Sequence, residues 1–419
     1  MRKVTRRLIP FLFLLYIVAY LDRVNVGFAQ LQMKGALGFD EVVYGFGAGV
    51  FFVGYFLFEI PSNLILERVG ARVWIARIMV VWGLVAAAMM FVRGPLSFYT
   101  LRFLLGVGEA GFFPGIILYL TYWFPAAERA RAVSLFMTAT ALAGVVGGPA
   151  SGALLSLNGA GGLAGWQWLF LVEGIPAVVL GVVVLVYLTD RPESARWLKA
   201  GERDWLSGEL KAERERQHEG HARTLPQALK SFRVWLLGLV YFSIILGFYS
   251  ISLWLPVIVK GFTGLSDFQV GLVSALPYVV AAAGMIFIGA HSDRTGERRW
   301  HVALPAVAGG AALLLAAYFH NPLLVLLSLC VAALGIWGAL GPFWTLPASF
   351  LRGSAAAGGI AVINSIGNLG GFVGPYLVGF VKRSTGSFSG GLVVLALFLF
   401  FGAGLVLATQ RESEGKLRA

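Results

Sequence analysis

Asp22 and Arg23 stand side by side inside a run, residues 8–30, that is otherwise apolar. At about 1.5 Å per residue such a run crosses roughly 30 Å of hydrocarbon. An ionised side chain at that depth costs roughly 2.5–3.5 kcal/mol, so it faces a bundle interior or a water-filled path and usually acts there. Arg102 and Glu109 form a second pair, seven residues apart on one face of another apolar run, 97–118. Glycines at 106, 108 and 111 let a neighbouring helix approach that run closely. With the two helices antiparallel, Asp22 and Arg23 fall at the depth of Arg102, and Glu109 lies nearer the midplane. This pairs Asp22 with Arg102 and leaves Glu109 deeper and less compensated. A plain structural ion pair would lock two helices and do nothing more. Two carboxylates in different surroundings at different depths suit a proton relay, which makes Asp22 and Glu109 the candidate proton-coupling residues.

Arg23 is then free, and a guanidinium fork is the natural fixed partner for the two oxygens of a carboxylate substrate. Tyr20 on the same helix face, Tyr55 at comparable depth, and Arg102 complete the substrate-binding candidates in this part of the chain. Further along, Asn364 and Asn368 are one turn apart in a glycine-rich run, and Trp344 precedes Thr345 at the end of another. A lone tyrosine or tryptophan in such a run is more often packing, whereas two asparagines at i, i+4 point more strongly to a site.

The elements that position these residues are all long and apolar. Of 419 residues, 58% are hydrophobic and 13% charged, about half the charge of a soluble protein. Apolar windows near 8–30, 43–66, 74–92, 97–118, 129–156 and 168–189, then 232–258, 268–290, 301–319, 323–344, 355–382 and 390–409, give twelve spans. The single cysteine, Cys330, excludes a disulfide framework and a thiolate zinc site. The basic start leads into a run too long for a cleavable signal peptide, so none is expected. The net charge of +12 is not a nucleic-acid footprint. If the N-terminus is cytoplasmic, 26 of the 33 Lys and Arg lie on that side, while Lys34, Arg93, Lys260, Lys382 and Arg383 lie opposite. This bias predicts a multi-pass inner-membrane protein with both termini in the cytoplasm.

Residues 191–231 are the only long polar stretch and read as a cytoplasmic linker between two bundles, 1–190 and 232–419. The bundles share one register. Glu67 of Glu67-Arg68-Val-Gly70-Ala-Arg72 and Asp293 of Asp293-Arg294-Thr-Gly296-Glu-Arg298 are 226 residues apart, as are Pro149 and Pro375 of two Gly-Pro motifs. Two unrelated motifs at one offset indicate duplication. The same offset maps Asp22 to Phe248, Arg23 to Tyr249, Arg102 to Ser328 and Glu109 to Gly335, so the intramembrane charge is confined to the first half. That asymmetry favours chemistry over a role demanded by the fold.

The loop Gly289-x-x-x-Asp293-Arg294-x-Gly296-x-Arg298 resembles the signature of the major facilitator superfamily. The first copy departs from it at Asn63 and Glu67. The resemblance implies an all-α integral membrane protein of twelve helices in two pseudo-symmetric six-helix bundles. It also implies that Glu67, Arg68, Asp293 and Arg294 act as conformational latches. Tyr20-Leu-Asp-Arg-Val-Asn, Arg102-x6-Glu109 followed by Phe112-Phe-Pro-Gly, Tyr122-Trp-Phe-Pro-x-x-Glu128-Arg and Trp166-Gln-Trp-x-Phe-x-x-Glu173-Gly-x-Pro further resemble its anion:cation symporter branch. That implies proton-coupled import of a sugar acid, tartrate or an aromatic acid, with Asp22 and Glu109 as proton sites and Glu173 structural. The expected partners are a small organic anion, protons and the bilayer, with no cofactor, metal or nucleic acid, and the carrier is expected to be monomeric.

The rival reading is a proton-coupled drug or metabolite exporter, supported by Gly144-x-x-x-Gly148-Pro149-x-x-Gly152 in span five. The same Gly-Pro geometry in span eleven favours packing instead, and an exporter of lipophilic cations has little use for Arg23. An enzyme is not expected. There is no HExxH or GxSxG, and His291, His301 and His320 fall at loop edges.

Overall fold

A backbone in hydrocarbon must satisfy its own hydrogen bonds, and these windows do so as helices. The computed structural model describes residues 1–218, 231–350 and 354–409. Of the expected linker, residues 219–230 lie outside the described residues, as do 351–353 and 410–419 of the second bundle. Among the described residues, twelve helices are long and apolar enough to cross a membrane: Arg2–Leu37, Glu41–Val69, Ala71–Phe91, Pro95–Thr121, Leu135–Leu155 and Gly165–Tyr187, then Phe232–Thr263, Asp267–Thr295, Trp300–Tyr318, Pro322–Pro347, Gly359–Thr385 and Ser389–Ala408. They are numbered one to twelve below. Large apolar side chains such as Leu96, Phe287 and Val186 point outward, as a lipid-facing surface requires.

The duplication extends to the punctuation between helices. Spans one and seven end on Gly38 and Gly264, with φ of 66° and 64°, and these are 226 residues apart. Both glycines adopt the left-handed turn that suits a residue without a Cβ. Two residues later, Asp40 and Ser266 cap the next span: Asp40 Oδ1 accepts from the Val43 N–H at 2.7 Å, and Ser266 shares a capping box with Gln269.

The halves meet on the face away from the termini. A methyl placed on Gly45 in span two would lie 2.7 Å from the Pro375 carbonyl oxygen in span eleven. Shifting both members by 226 residues gives Gly271 and Pro149, and Gly271 packs directly on the backbone of Gly148. The corresponding helix pairs thus touch in both copies, their closest contacts one residue apart in register. Tyr44 donates to the Leu253 carbonyl at 2.7 Å, Gln32 to Asp267 at 2.9 Å, and Arg383 pairs with Asp40 at 3.1 Å, all across the halves on that same face. Within Gly144-x-x-x-Gly148-Pro149-x-x-Gly152, the three glycines lie against Tyr278, Gly271 and Asp267 of span eight. The motif is a packing surface here.

Of the polar stretch, Ala200–His218 is a helix. Lys3–Glu202 at 2.9 Å and Arg129–Glu213 at 2.8 Å tie it to the first half.

Candidate functional site

One span is interrupted where its charge sits. Span one runs on helically through Asn25, with φ −58° and ψ −27°, directly after Asp22 and Arg23. Span four breaks between Glu109 and Phe112, where Gly111 takes φ 85° and any side chain on it would run into Ser62. Broken helices expose backbone polar groups within the membrane and are where carriers build sites.

Arg23 is the centre of the site. Its Nη2 donates to Glu109 Oε1 of span four, and its Nη1 donates to Tyr249 Oη of span seven at 2.6 Å. Tyr249 is 226 residues from Arg23, so the guanidinium binds the counterpart of its own position in the other half. Its carbon lies 5.4 Å from the ring centres of both Phe51 and Tyr55. Such cation–π contacts contribute roughly 0.5–2 kcal/mol depending on desolvation. Arg23 is 7% exposed and Glu109 fully buried, yet Arg23 Nε and Glu109 Oε2 have no protein partner. The pair is neutral as a unit and has hydrogen-bonding capacity in reserve.

The pairing differs from the one the sequence suggests. Asp22 Oδ2 accepts from Trp82 Nε1 at 2.6 Å, while Arg102 donates to the backbone carbonyls of Gly47 at 3.3 Å and Ala48 at 3.1 Å. Asp22 and Arg102 do not pair, and Glu109 is the carboxylate that holds a guanidinium. Depth places residues along a helix axis but leaves rotation about it open. Neighbours on a helix point about 100° apart, so Asp22 turns toward span three while Arg23 turns toward spans four and seven. Arg102 stitches span four to span two, with its guanidinium carbon 5.1 Å from the far side's shared ring, Phe51.

Tyr20 shares a hydrogen bond of 2.9 Å with Ser252 across the halves. Asn364 donates to Glu59 Oε1 at 2.7 Å, and Asn368, one turn further, is buried. Glu59 escaped the sequence reading, although the test that selects Asp22, a carboxylate inside an apolar window, selects it equally. Tyr249 could have been found as the mate of Arg23; nothing in the sequence singles out Trp82. Trp344 packs edge-on against Tyr241, 4.8 Å between ring centres. Glu173 accepts from Ser151 at 2.8 Å.

Glu67, Arg68, Asp293 and Arg294 are exposed at the ends of spans two and eight. Asp293 accepts from Arg298 at 2.6 Å within its own loop, and Arg72 of the first copy donates its backbone N–H to Asp190 at 2.8 Å, inside the first half. Among the described residues, no hydrogen bond or ion pair joins the two copies.

The sequence matches the Major Facilitator Superfamily over residues 12–375. It is 52% identical over 420 residues to a protein of Agrobacterium vitis named "Putative tartrate transporter", covering all of this chain and 96% of that one. It is 45% identical to "Quinolone resistance transporter" of Acinetobacter baumannii, covering 99% and 95% of the two chains. Among solved structures, the inward-facing bacterial homologue of Spinster superposes with a TM-score of 0.77 at 17% identity, covering 96% of each chain. The xylose transporter XylE of E. coli gives 0.76 at 15%, covering 96% of this chain and 99% of its own. At those identities the structures speak for the fold.

Proposed function

The chain belongs to the Major Facilitator Superfamily, and from that premise we propose that it imports an organic carboxylate together with protons by alternating access. It is a membrane transporter and not an enzyme; the substrate, the coupling ion and the direction are our reading. One observation carries it: Arg23 is buried between the halves and held by Glu109 of one and Tyr249 of the other. A carboxylate substrate offers Arg23 the same two oxygens that Glu109 does. For the substrate to take that place, Glu109 must give up the guanidinium, and a free carboxylate buried there is expensive unless it accepts a proton. Binding of the anion and uptake of a proton are then one event. Asp22, bonded on one oxygen by Trp82 and unpartnered on the other, is the second proton site. Tyr20, Tyr55 and the asparagines of span eleven line the remainder.

The excess of bases on the terminal face supports an orientation with both termini cytoplasmic. The present state, closed on the opposite face, is then the one facing the cytoplasm. The loops of Glu67, Arg68, Asp293 and Arg294 would engage across the halves in the alternate state. The relative named for tartrate supports an organic acid, and the relative named for quinolone resistance supports an exporter as the second reading.

The test is uptake of labelled organic acids into proteoliposomes under an imposed inward proton gradient, with Asp22→Asn in parallel. Accumulation that requires the gradient and vanishes in the variant, with binding retained, is expected. Gradient-driven efflux of a lipophilic cation with no acid accumulated would replace this reading by the exporter.

A further inference from the structure

Among the described residues no basic side chain bonds Glu59, a carboxylate in the membrane. It is 6% exposed; Oε1 accepts from Asn364 across the halves at 2.7 Å, Asn368 one turn on also interacts with the carboxylate, and Oε2 is buried. Asn63, one turn away, donates to the Glu59 backbone carbonyl at 3.0 Å and so leaves the carboxylate alone. Tyr55 lies one turn in the other direction, its ring 5.4 Å from the Arg23 guanidinium carbon. Residues four apart on a helix are neighbours. Arg23, Tyr55 and Glu59 therefore form one continuous polar line, with the clasp to span eleven at its end.

The clasp joins a carboxylate oxygen, which as the anion only accepts, to an amide N–H, which only donates. A ligand group that both accepts and donates can enter between them without leaving either unpaired. A hydroxyl does this, accepting from the Asn364 amide and donating to a Glu59 oxygen. A second carboxylate would face Glu59 as a like charge, and a methylene or an aromatic ring would strand both partners. Resting on the reading that a substrate carboxylate docks on Arg23, we propose that Glu59 and Asn364 form a hydroxyl-reading subsite that selects hydroxylated carboxylic acids over unsubstituted and aromatic ones. The hydroxyl replaces one hydrogen bond across the halves with two, so recognition keeps the halves bridged at this point.

The experiment compares tartrate with succinate, and galactarate with adipate, each pair sharing a carbon skeleton and both carboxylates and differing in the hydroxyls, in proteoliposomes of the full chain. Wild type is expected to prefer the hydroxylated member in kcat/KM by roughly a hundredfold or more, since sites built around a substrate hydroxyl reject analogues lacking it strongly. In Glu59→Leu and in Asn364→Leu that preference should shrink to about tenfold or less, through a larger loss for the hydroxylated acid than for the plain one. Glu59→Gln, which keeps an acceptor oxygen and the side-chain size, should retain more of the preference than Glu59→Leu, and monodispersity on size exclusion checks each variant's folding. Equal loss for both members of a pair, or an unchanged preference in the leucine variants, overturns the proposal while leaving organic-acid transport intact. Failure of wild type to accumulate any of the four acids overturns the underlying reading as well, and is seen without any Glu59 variant.

Discussion

A guanidinium carries five N–H donors, and Arg23 directs two of its nitrogens to opposite halves of the protein while a third is unpartnered. Lysine offers a point charge on a flexible stem and cannot hold Glu109 and Tyr249 in one plane. Phe51 adds a second constraint, because its ring lies between the guanidinium carbons of Arg23 and Arg102, at 5.4 Å and 5.1 Å. The arginines sound alike in sequence and differ in partners: one meets a carboxylate and a phenol, the other only backbone carbonyls. The exchange of Glu109 for a substrate carboxylate makes a prediction about pH. In wild type, acid binding should tighten as pH falls, because the displaced Glu109 then finds its proton. In Glu109→Gln nothing has to be protonated, so binding should become flat with pH. Uptake down a substrate gradient should persist without stimulation by a proton gradient. Tryptophan-fluorescence titrations from pH 5 to 8 beside proteoliposome flux check both; a binding curve in the variant as steep as in wild type refutes the exchange.

At the scale of elements, the packing glycines matter more than the charges. Gly45 against Pro375 and Gly271 against Gly148 join corresponding helix pairs in the two copies, and each lets two helix backbones touch across the halves. Gly45→Leu should hold that face apart and favour the alternate state. In a Cys330→Ser background, a cysteine at Tyr44 should then react with an impermeant maleimide at least several-fold faster than in the glycine parent. Unchanged reactivity would mean that the seal does not depend on this contact. Spans, loop motifs and the 226-residue register were legible in the sequence, because hydrophobic length and repeated turns leave one-dimensional marks. The partner of Asp22 was not. Its contact with Trp82 depends on the rotation of span one about its axis, and an apolar window is nearly uniform around its circumference. Glu59 is legible as a carboxylate inside an apolar window. What Glu59 touches, an asparagine 305 residues away, no local pattern could state.

For the whole molecule, the bias in basic residues is a statement about which side faces the cytoplasm. Cysteines placed singly at Thr295 and at Gly386, again with Cys330→Ser, should label from opposite sides: Thr295 only in inverted vesicles, Gly386 in intact cells. The reverse pattern would invert the proposed orientation. A separate consequence follows from the bond between Arg23 and Tyr249, residues 226 apart. When a position touches its own duplicate, the pseudo-twofold axis relating the halves runs between them. That axis runs along the membrane normal, whereas rocking would turn the halves about a line across it; near mid-membrane, where Arg23 meets Glu109, such a turn moves the halves least, so this bond can survive a rocking that pulls Gly45 from Pro375 and Gly148 from Gly271. An anion seated there would be passed from one face to the other with almost no travel of its own, the protein turning around it like a seesaw around its pin.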